Sequence, residues 1–277
     1  MRLATLRTTT GHAAVRIDGD VVTVIPGAAD VGALLALPNW REVAAASGET
    51  RDLASIRDHE WAPVVPAPGK IVCVGLNYRA HILEMGRELP EYPTLFAKYP
   101  EALVGPYDDI ALPAVAAQAV DWEAELAVVI GATARRISKA DASAHIAGYS
   151  VMNDVTMRDY QYRSPEWFQG KTFEATAPFG PVLVTSDEFT PGGMLRGAVD
   201  GELVQQTPTN DLVFGPESLV AYISEIFTLN PGDVIVTGTP GGVGHARKPA
   251  RYLAAGMTLT TSVDGIGELR NLIIRGD

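Results

Sequence analysis

The chain has 277 residues, 47% hydrophobic and 20% charged, which is ordinary for a globular protein with a real core and allows one large domain or one large and one small. Its net charge of −11, with no basic cluster large enough to overcome it, argues against a nucleic-acid backbone or an anionic membrane surface as partner. The lone Cys73 excludes an intrachain disulfide and fits a reducing, cytoplasmic setting, and no apolar run is long enough to predict a signal peptide or a membrane span.

Residues 2–7, 13–18 and 21–25 read as short strands, with Asp18-Gly19-Asp20 as a hairpin turn. Asp30 can cap a helix through about residue 37, and a second helix is expected over 39–47. The proline-bearing stretch 57–69, ending in Pro66-Ala67-Pro68-Gly69, reads as a linker. Residues 1–65 are therefore expected to form a small N-terminal domain and 66–277 the main one.

A strand over 70–74 precedes Gly75-Leu76-Asn77-Tyr78 and a helix from 79 to about 86. On that helix His81 and Glu84 stand at i and i+3, so Glu84 can orient the imidazole as a general base; a solvated helix face would carry the same pair. Residues 94–98 form a strand that turns Lys98 to the side of Phe96, and 104–113 read as loop and turn.

The run Asp121-Trp122-Glu123-Ala124-Glu125, continuing apolar to Ile130, reads as a strand. Residues at i and i+2 point the same way about 6.6–6.8 Å apart, so Glu123 and Glu125 project side by side, with Asp121 on the same parity. Adjacent carboxylates repel unless neutralised. A hard divalent cation would neutralise them, and a solvated strand face is the competing reading. Ser138 can cap a helix over 139–147, and a strand over 149–152 then delivers Asp154 as a third candidate ligand. Arg158 and Gln161 follow at i and i+3 on a short helix.

Further on come a strand at 180–184, a hairpin about Asp200-Gly201, an amphipathic helix over 216–227 and a buried strand at 234–237. The loop from Gly238 to Gly244 lacks both the Gly-Lys-Ser/Thr ending of a P-loop and a dinucleotide fingerprint, so nucleotide binding is rejected. Its N–H groups and the Thr239 hydroxyl could hold a small anion or an oxyanion, or form a plain turn. Strands at 259–263 and 268–274 close a β-rich, mixed α+β chain, either a barrel or sandwiched sheets.

Taken together, residues 70–78, the His81/Glu84 pair, 96–98, 121–131, 153–161, 170–173, 232–244 and 265–271 resemble the fumarylacetoacetate hydrolase family, in order and with its spacing, over about residues 65–277. The resemblance implies a β-sandwich and barrel-like roll, a homodimer, and Mg²⁺ or a similar ion (Mn²⁺ or Ca²⁺) held by Glu123, Glu125 and Asp154. It implies His81 and Glu84 as the base pair that activates water and Lys171 as the group that positions the water or steadies an oxyanion. Lys98, Arg158, Gln161 and Thr239 would face a small 2-oxo acid substrate. Glu101 stands where the family often has a small polar residue and bears on substrate choice. The expected reaction is C–C hydrolysis of an acylpyruvate such as fumarylpyruvate or acetylpyruvate. The alternatives are decarboxylation of oxaloacetate, isomerisation of an unsaturated 2-oxo diacid, and a non-catalytic oxo-acid binder.

Overall fold

The structure is a computed structural model that describes residues 1–84, 86 and 88–277, with the side chain of Glu84 outside that description. Among the described residues the strands form an eleven-stranded sheet, a five-stranded sheet and a two-stranded ribbon, so the fold is β-rich with few helices. Along the large sheet the order is Thr50–Asp52, Val21–Val24, Gly11–Asp18, Arg2–Thr8, Ala177–Thr185, Ile146–Asn153, Ala124–Ile130, Val234–Val236, Ile71–Gly75 and Thr94–Lys98, with the eleventh strand, Leu103–Val104, off this path and parallel to Ala177–Thr185. The first four of these, all before residue 65, join the rest through antiparallel pairing of Arg2 with Val184.

The Ala124–Ile130 strand is buried along its whole length because both faces of the sheet carry a core. Leu126, Val128 and Ile130 pack with Val151, Val184 and the Pro216–Ile226 helix on one face. Ala127 and Val129 pack with Cys73, Met152 and Phe179 on the other. A strand covered on both sides has no use for polar–apolar alternation, hence its continuous apolar run. Glu125 has the parity of Ala127 and Val129, so it lies on the face shared with Cys73 and Phe96.

Three expectations change in the structure. The helix expected over 139–147 shrinks to a single 3-10 turn, Ala142–His145, and the strand begins at Ile146 instead, because its β-branched and aromatic residues have a sheet edge to join. The segment 104–113 contains a strand, Ile110–Leu112, that pairs in parallel with Gly267–Arg275. The acidic strand is broken into Val120–Asp121 and Ala124–Ile130, and Val120–Asp121 leaves the large sheet to pair with Thr156–Met157.

Close backbone approach sets the centre of the sheet. Gly148 pairs with Val129 on one side and Thr185 on the other, and a Cβ there would run into the carbonyl oxygen of Val184. Gly148→Ala is expected to lower unfolding stability by about 1–3 kcal/mol through overpacking, read from the urea midpoint. An unchanged midpoint would mean the strands are not this close.

Candidate metal centre and active site

Strand register builds the acidic cluster. Ala124 pairs with Asn153 and Glu125 with Met152, so Glu123 and Asp154 meet one step beyond the ladder. The Asp154 N–H donates to the Glu123 carbonyl at 2.9 Å, and the Asn153 side-chain oxygen accepts from the Glu123 N–H at 2.9 Å. Cross-strand neighbours therefore bring together residues about 30 positions apart in sequence. Carboxylate oxygens of Glu123, Glu125 and Asp154 lie within 4.8 Å of one another, and all three residues are buried.

Three cations surround them. Lys171, closing the Phe168–Lys171 helix, sets its Nζ 2.6 Å from Glu123 Oε2 and 2.8 Å from Asp154 Oδ2. Lys98 Nζ is 2.9 Å from Asp154 Oδ1 and donates to the Lys171 carbonyl. Arg158 places Nη1 2.8 Å from Glu123 Oε1 and 2.8 Å from Gln161 Oε1.

Burial, with Asp154 and Glu123 beside it, pushes the Glu125 carboxyl well above the usual range. Burial acts in the same sense on Asp154, but Lys171 and Lys98 outweigh it and hold that carboxyl below its ordinary value. Burial would lower Lys171, yet Asp154 and Glu123 outweigh it and push its pKa up, so Lys171 stays an ammonium. In the metal-free protein it is a donor and a charge.

The residues present fit a divalent cation. The donor set is all oxygen, as a hard cation requires. Each carboxylate oxygen has two lone pairs, so one that accepts from a lysine or arginine can still face a metal ion. Asp154 Oδ1, though close to Lys98, accepts no well-aligned hydrogen bond.

Asp121 takes a different part from that suggested by strand parity. The break at Trp122 and Glu123 turns it away from the triad, and its buried carboxylate binds Arg158 at 2.7 Å and 2.9 Å. The same carboxylate accepts from the N–H groups of Gly244 at 2.7 Å and His245 at 3.0 Å. It thus ties the glycine loop to the guanidinium. That loop runs beside the acidic strand: the Gly238 N–H donates to Glu125 Oε2 at 2.5 Å, and the Thr239 hydroxyl donates to the Ala124 carbonyl at 3.0 Å. Gly238 has φ of +101°, a conformation that favours glycine.

A cavity of about 350 Å³ opens onto this cluster. Glu123, Glu125, Lys171, Arg158, Gln161 and Thr239 line it, as does His81 from the Arg79–Glu84 helix. Lys98 does not line it: it is buried behind Asp154. Glu101 is exposed on a 3-10 turn and also lies off the wall. Glu84 ends the helix that carries His81, and its pairing with the imidazole falls outside the described residues.

Sequence reading missed the bracing role of Asp121 and three wall residues, Tyr162, Trp167 and His245. Trp167 packs over Gly75, where a Cβ would collide with the indole, a contact with no local trace in the sequence. His245 follows the glycine loop directly, which could have marked it.

The family described as Fumarylacetoacetate (FAA) hydrolase C-terminal matches residues 70–274. A Homo sapiens protein, oxaloacetate tautomerase FAHD2A, mitochondrial, is 44% identical over 217 residues, covering 77% of this chain and 68% of its own. The structure of fumarylacetoacetate hydrolase from psychrophilic Exiguobacterium antarcticum superposes with a TM-score of 0.87 at 33% identity, covering 100% of both chains. That of maleylpyruvate hydrolase from Sphingobium sp. SYK-6, in complex with manganese(II) ion and pyruvate, gives 0.81 at 29% identity, again over 100% of both. Among the described residues no helix is long and apolar enough to cross a membrane.

Two outcomes are expected of the triad. Glu123→Ala or Asp154→Ala should weaken Mn²⁺ binding beyond the roughly 10–100-fold that losing an outer-shell partner costs, read by calorimetry. The raised Glu125 carboxyl gives a pH dependence. In the metal-free protein it is protonated in folded and unfolded chains alike below the ordinary carboxylate range. As pH rises, the unfolded chain ionises first, so this contribution to stability is lost. Metal binding expels the proton, so stabilisation by Mg²⁺ should grow as pH rises above the ordinary carboxylate range in the wild type and stay flatter in Glu125→Gln. Equal pH profiles for the two proteins in thermal melts with Mg²⁺ and with chelator would refute the assignment.

Proposed function

The chain belongs to the fumarylacetoacetate (FAA) hydrolase family, and we propose that it is a divalent-metal-dependent enzyme that enolises a 2-oxo acid at the carbon beside its keto group. The observation that carries this reading is a single cavity lined by Glu123, Glu125 and Lys171 together with His81. The family relationship and the 44% identity to an oxaloacetate tautomerase support it.

Glu123, Glu125 and Asp154 would hold Mg²⁺ or Mn²⁺, which when bound supplies a Lewis acid for the negative charge that develops on a keto oxygen. His81 takes the proton from the adjacent carbon, since imidazole changes charge near neutral pH and Lys171 is engaged with Glu123 and Asp154. The keto oxygen then gains a proton from solvent and His81 releases its own to solvent, so one C–H bond breaks, one O–H bond forms and the imidazole is regenerated. Lys171 donates towards the charged oxygen, and Arg158, fixed by Asp121 and Glu123, presents a rigid cation to the substrate carboxylate.

Hydrolysis of an acylpyruvate is the second reading, favoured by the 29% identity to a maleylpyruvate hydrolase. There His81 would take its proton from water, the water oxygen would attack the distal carbonyl, and Lys171 would donate to the resulting oxyanion. The higher identity to the tautomerase ranks enolisation first.

Oxaloacetate and acetylpyruvate, each with Mg²⁺ or chelator, separate the readings. Catalysed keto–enol interconversion predicts a fast approach of the enol absorbance of oxaloacetate to its equilibrium value, from either tautomer, without matching pyruvate. Pyruvate released in step with oxaloacetate loss would mean decarboxylation, and equal pyruvate and acetate from acetylpyruvate would mean hydrolysis. His81→Ala should lower turnover by about 10²–10⁴ while leaving metal affinity intact. Wild-type turnover in that variant would remove His81 from the mechanism.

A further inference from the structure

The cavity has an inner end at the acidic triad and a mouth built from two segments the mechanism does not use. One is the turn after the Arg158–Gln161 helix, where Tyr162 is 60% exposed. The other is the strap 244–252, which follows the glycine loop. The strap carries His245, Arg247, Lys248 and Arg251 and no acidic residue, in a chain whose net charge is −11. The acidic total conceals this basic stretch.

Only His245 of the basic strap residues lines the cavity. Its backbone is fixed by the N–H donated to Asp121 at 3.0 Å, so it is one link from the Arg158–Glu123 network. Its ring lies 5.1 Å from that of Tyr162, and its Nδ1 is 2.8 Å from the Tyr252 hydroxyl. A ring packed beside Tyr162 with Nδ1 at a hydroxyl has its orientation constrained, and when the Tyr252 hydroxyl donates to Nδ1 the ring proton sits on Nε2, which is left to donate to another partner.

The cations nearer the triad are held at the inner end of the cavity, Lys171 by Glu123 and Asp154 and Arg158 by Asp121 and Glu123, where they face the 2-oxo acid end of the substrate and not its tail. Arg247 donates to the Val204 and Gly242 carbonyls, and Arg251 pairs with Glu202 at 2.6 Å. Arg247, bound to neutral carbonyls, adds positive potential beside the strap that favours entry of an anion, whereas the charge of Arg251 is offset by Glu202.

Resting on the proposed 2-oxo acid chemistry, we infer that His245 is a specificity-determining residue that receives a second carboxylate at the far end of the substrate. The substrates favoured are accordingly 2-oxo dicarboxylates over 2-oxo monocarboxylates. His245 does not move a proton in this role. It supplies a hydrogen bond to a carboxylate, within a basic rim that makes an uncharged tail the poorer fit.

Calorimetry with Mg²⁺ present tests this using three probes: oxalate, 2-oxopentanoate and 2-oxoglutarate. The last two have the same carbon count and differ by a methyl in place of a carboxylate. Wild type should bind 2-oxoglutarate more tightly than 2-oxopentanoate by about tenfold or more, as a charge-assisted hydrogen bond implies. His245→Phe keeps a ring against Tyr162 but loses the donor, and should abolish that preference with oxalate affinity unchanged. His245→Gln, which keeps a donor, should restore most of it. A preference undiminished in His245→Phe, or absent from wild type while oxalate still binds, overturns the assignment of His245 alone. If oxalate fails to bind in a Mg²⁺-dependent way, the 2-oxo acid reading falls and this inference with it.

Discussion

The Lys171 ammonium between Glu123 and Asp154 is the contact on which the site depends. It belongs to a buried cluster of four carboxylates (Asp121, Glu123, Glu125, Asp154) and three cations (Lys98, Arg158, Lys171), leaving one negative charge in excess. Buried ions carry desolvation penalties of several kcal/mol each, so the cluster persists only if each member is paired or neutralised. Burial and its acidic neighbours push the Glu125 carboxyl up, so it is the member whose protonation would balance the charge when no metal is bound. Exchange of that proton for a divalent cation leaves the cluster with one positive charge. A pocket so charged suits an anionic substrate.

This balance assigns separate duties to residues that look alike in sequence. Glu123 is shared by Lys171 and Arg158, Asp154 by the two lysines, and Glu125 is held by the Gly238 N–H. Asp121 sits outside the triad and holds Arg158 together with the backbone of Gly244 and His245. One carboxylate therefore couples the guanidinium that faces the inner cavity to the strap that forms its mouth. Lys98, expected at the substrate, instead supports Asp154 from behind.

Much of the centre was legible because it follows from strand geometry. The i, i+2 spacing of Glu123 and Glu125 and the position of Asp154 after an apolar strand required only period-two reasoning. The register that sets Asp154 across from Glu123 was not legible, because pairing between distant strands leaves no local trace. Nor was the break at Trp122 and Glu123, which turns Asp121 out of the triad although its parity matched. The helix expected over 139–147 failed for a related reason: local propensity there yields to a sheet that needs residues from Ile146 onward. The wall residues Tyr162, Trp167 and His245 come from three turns and share no periodicity that could have grouped them.

The central claim is that Glu123, Glu125 and Asp154 form one divalent-cation site beside Lys171. Anomalous diffraction from crystals grown with Mn²⁺ tests it most directly. The account predicts one strong peak among the three carboxylates, with Lys171 still in contact with Glu123 and Asp154. A peak elsewhere, or none at the triad at saturating Mn²⁺, would contradict it.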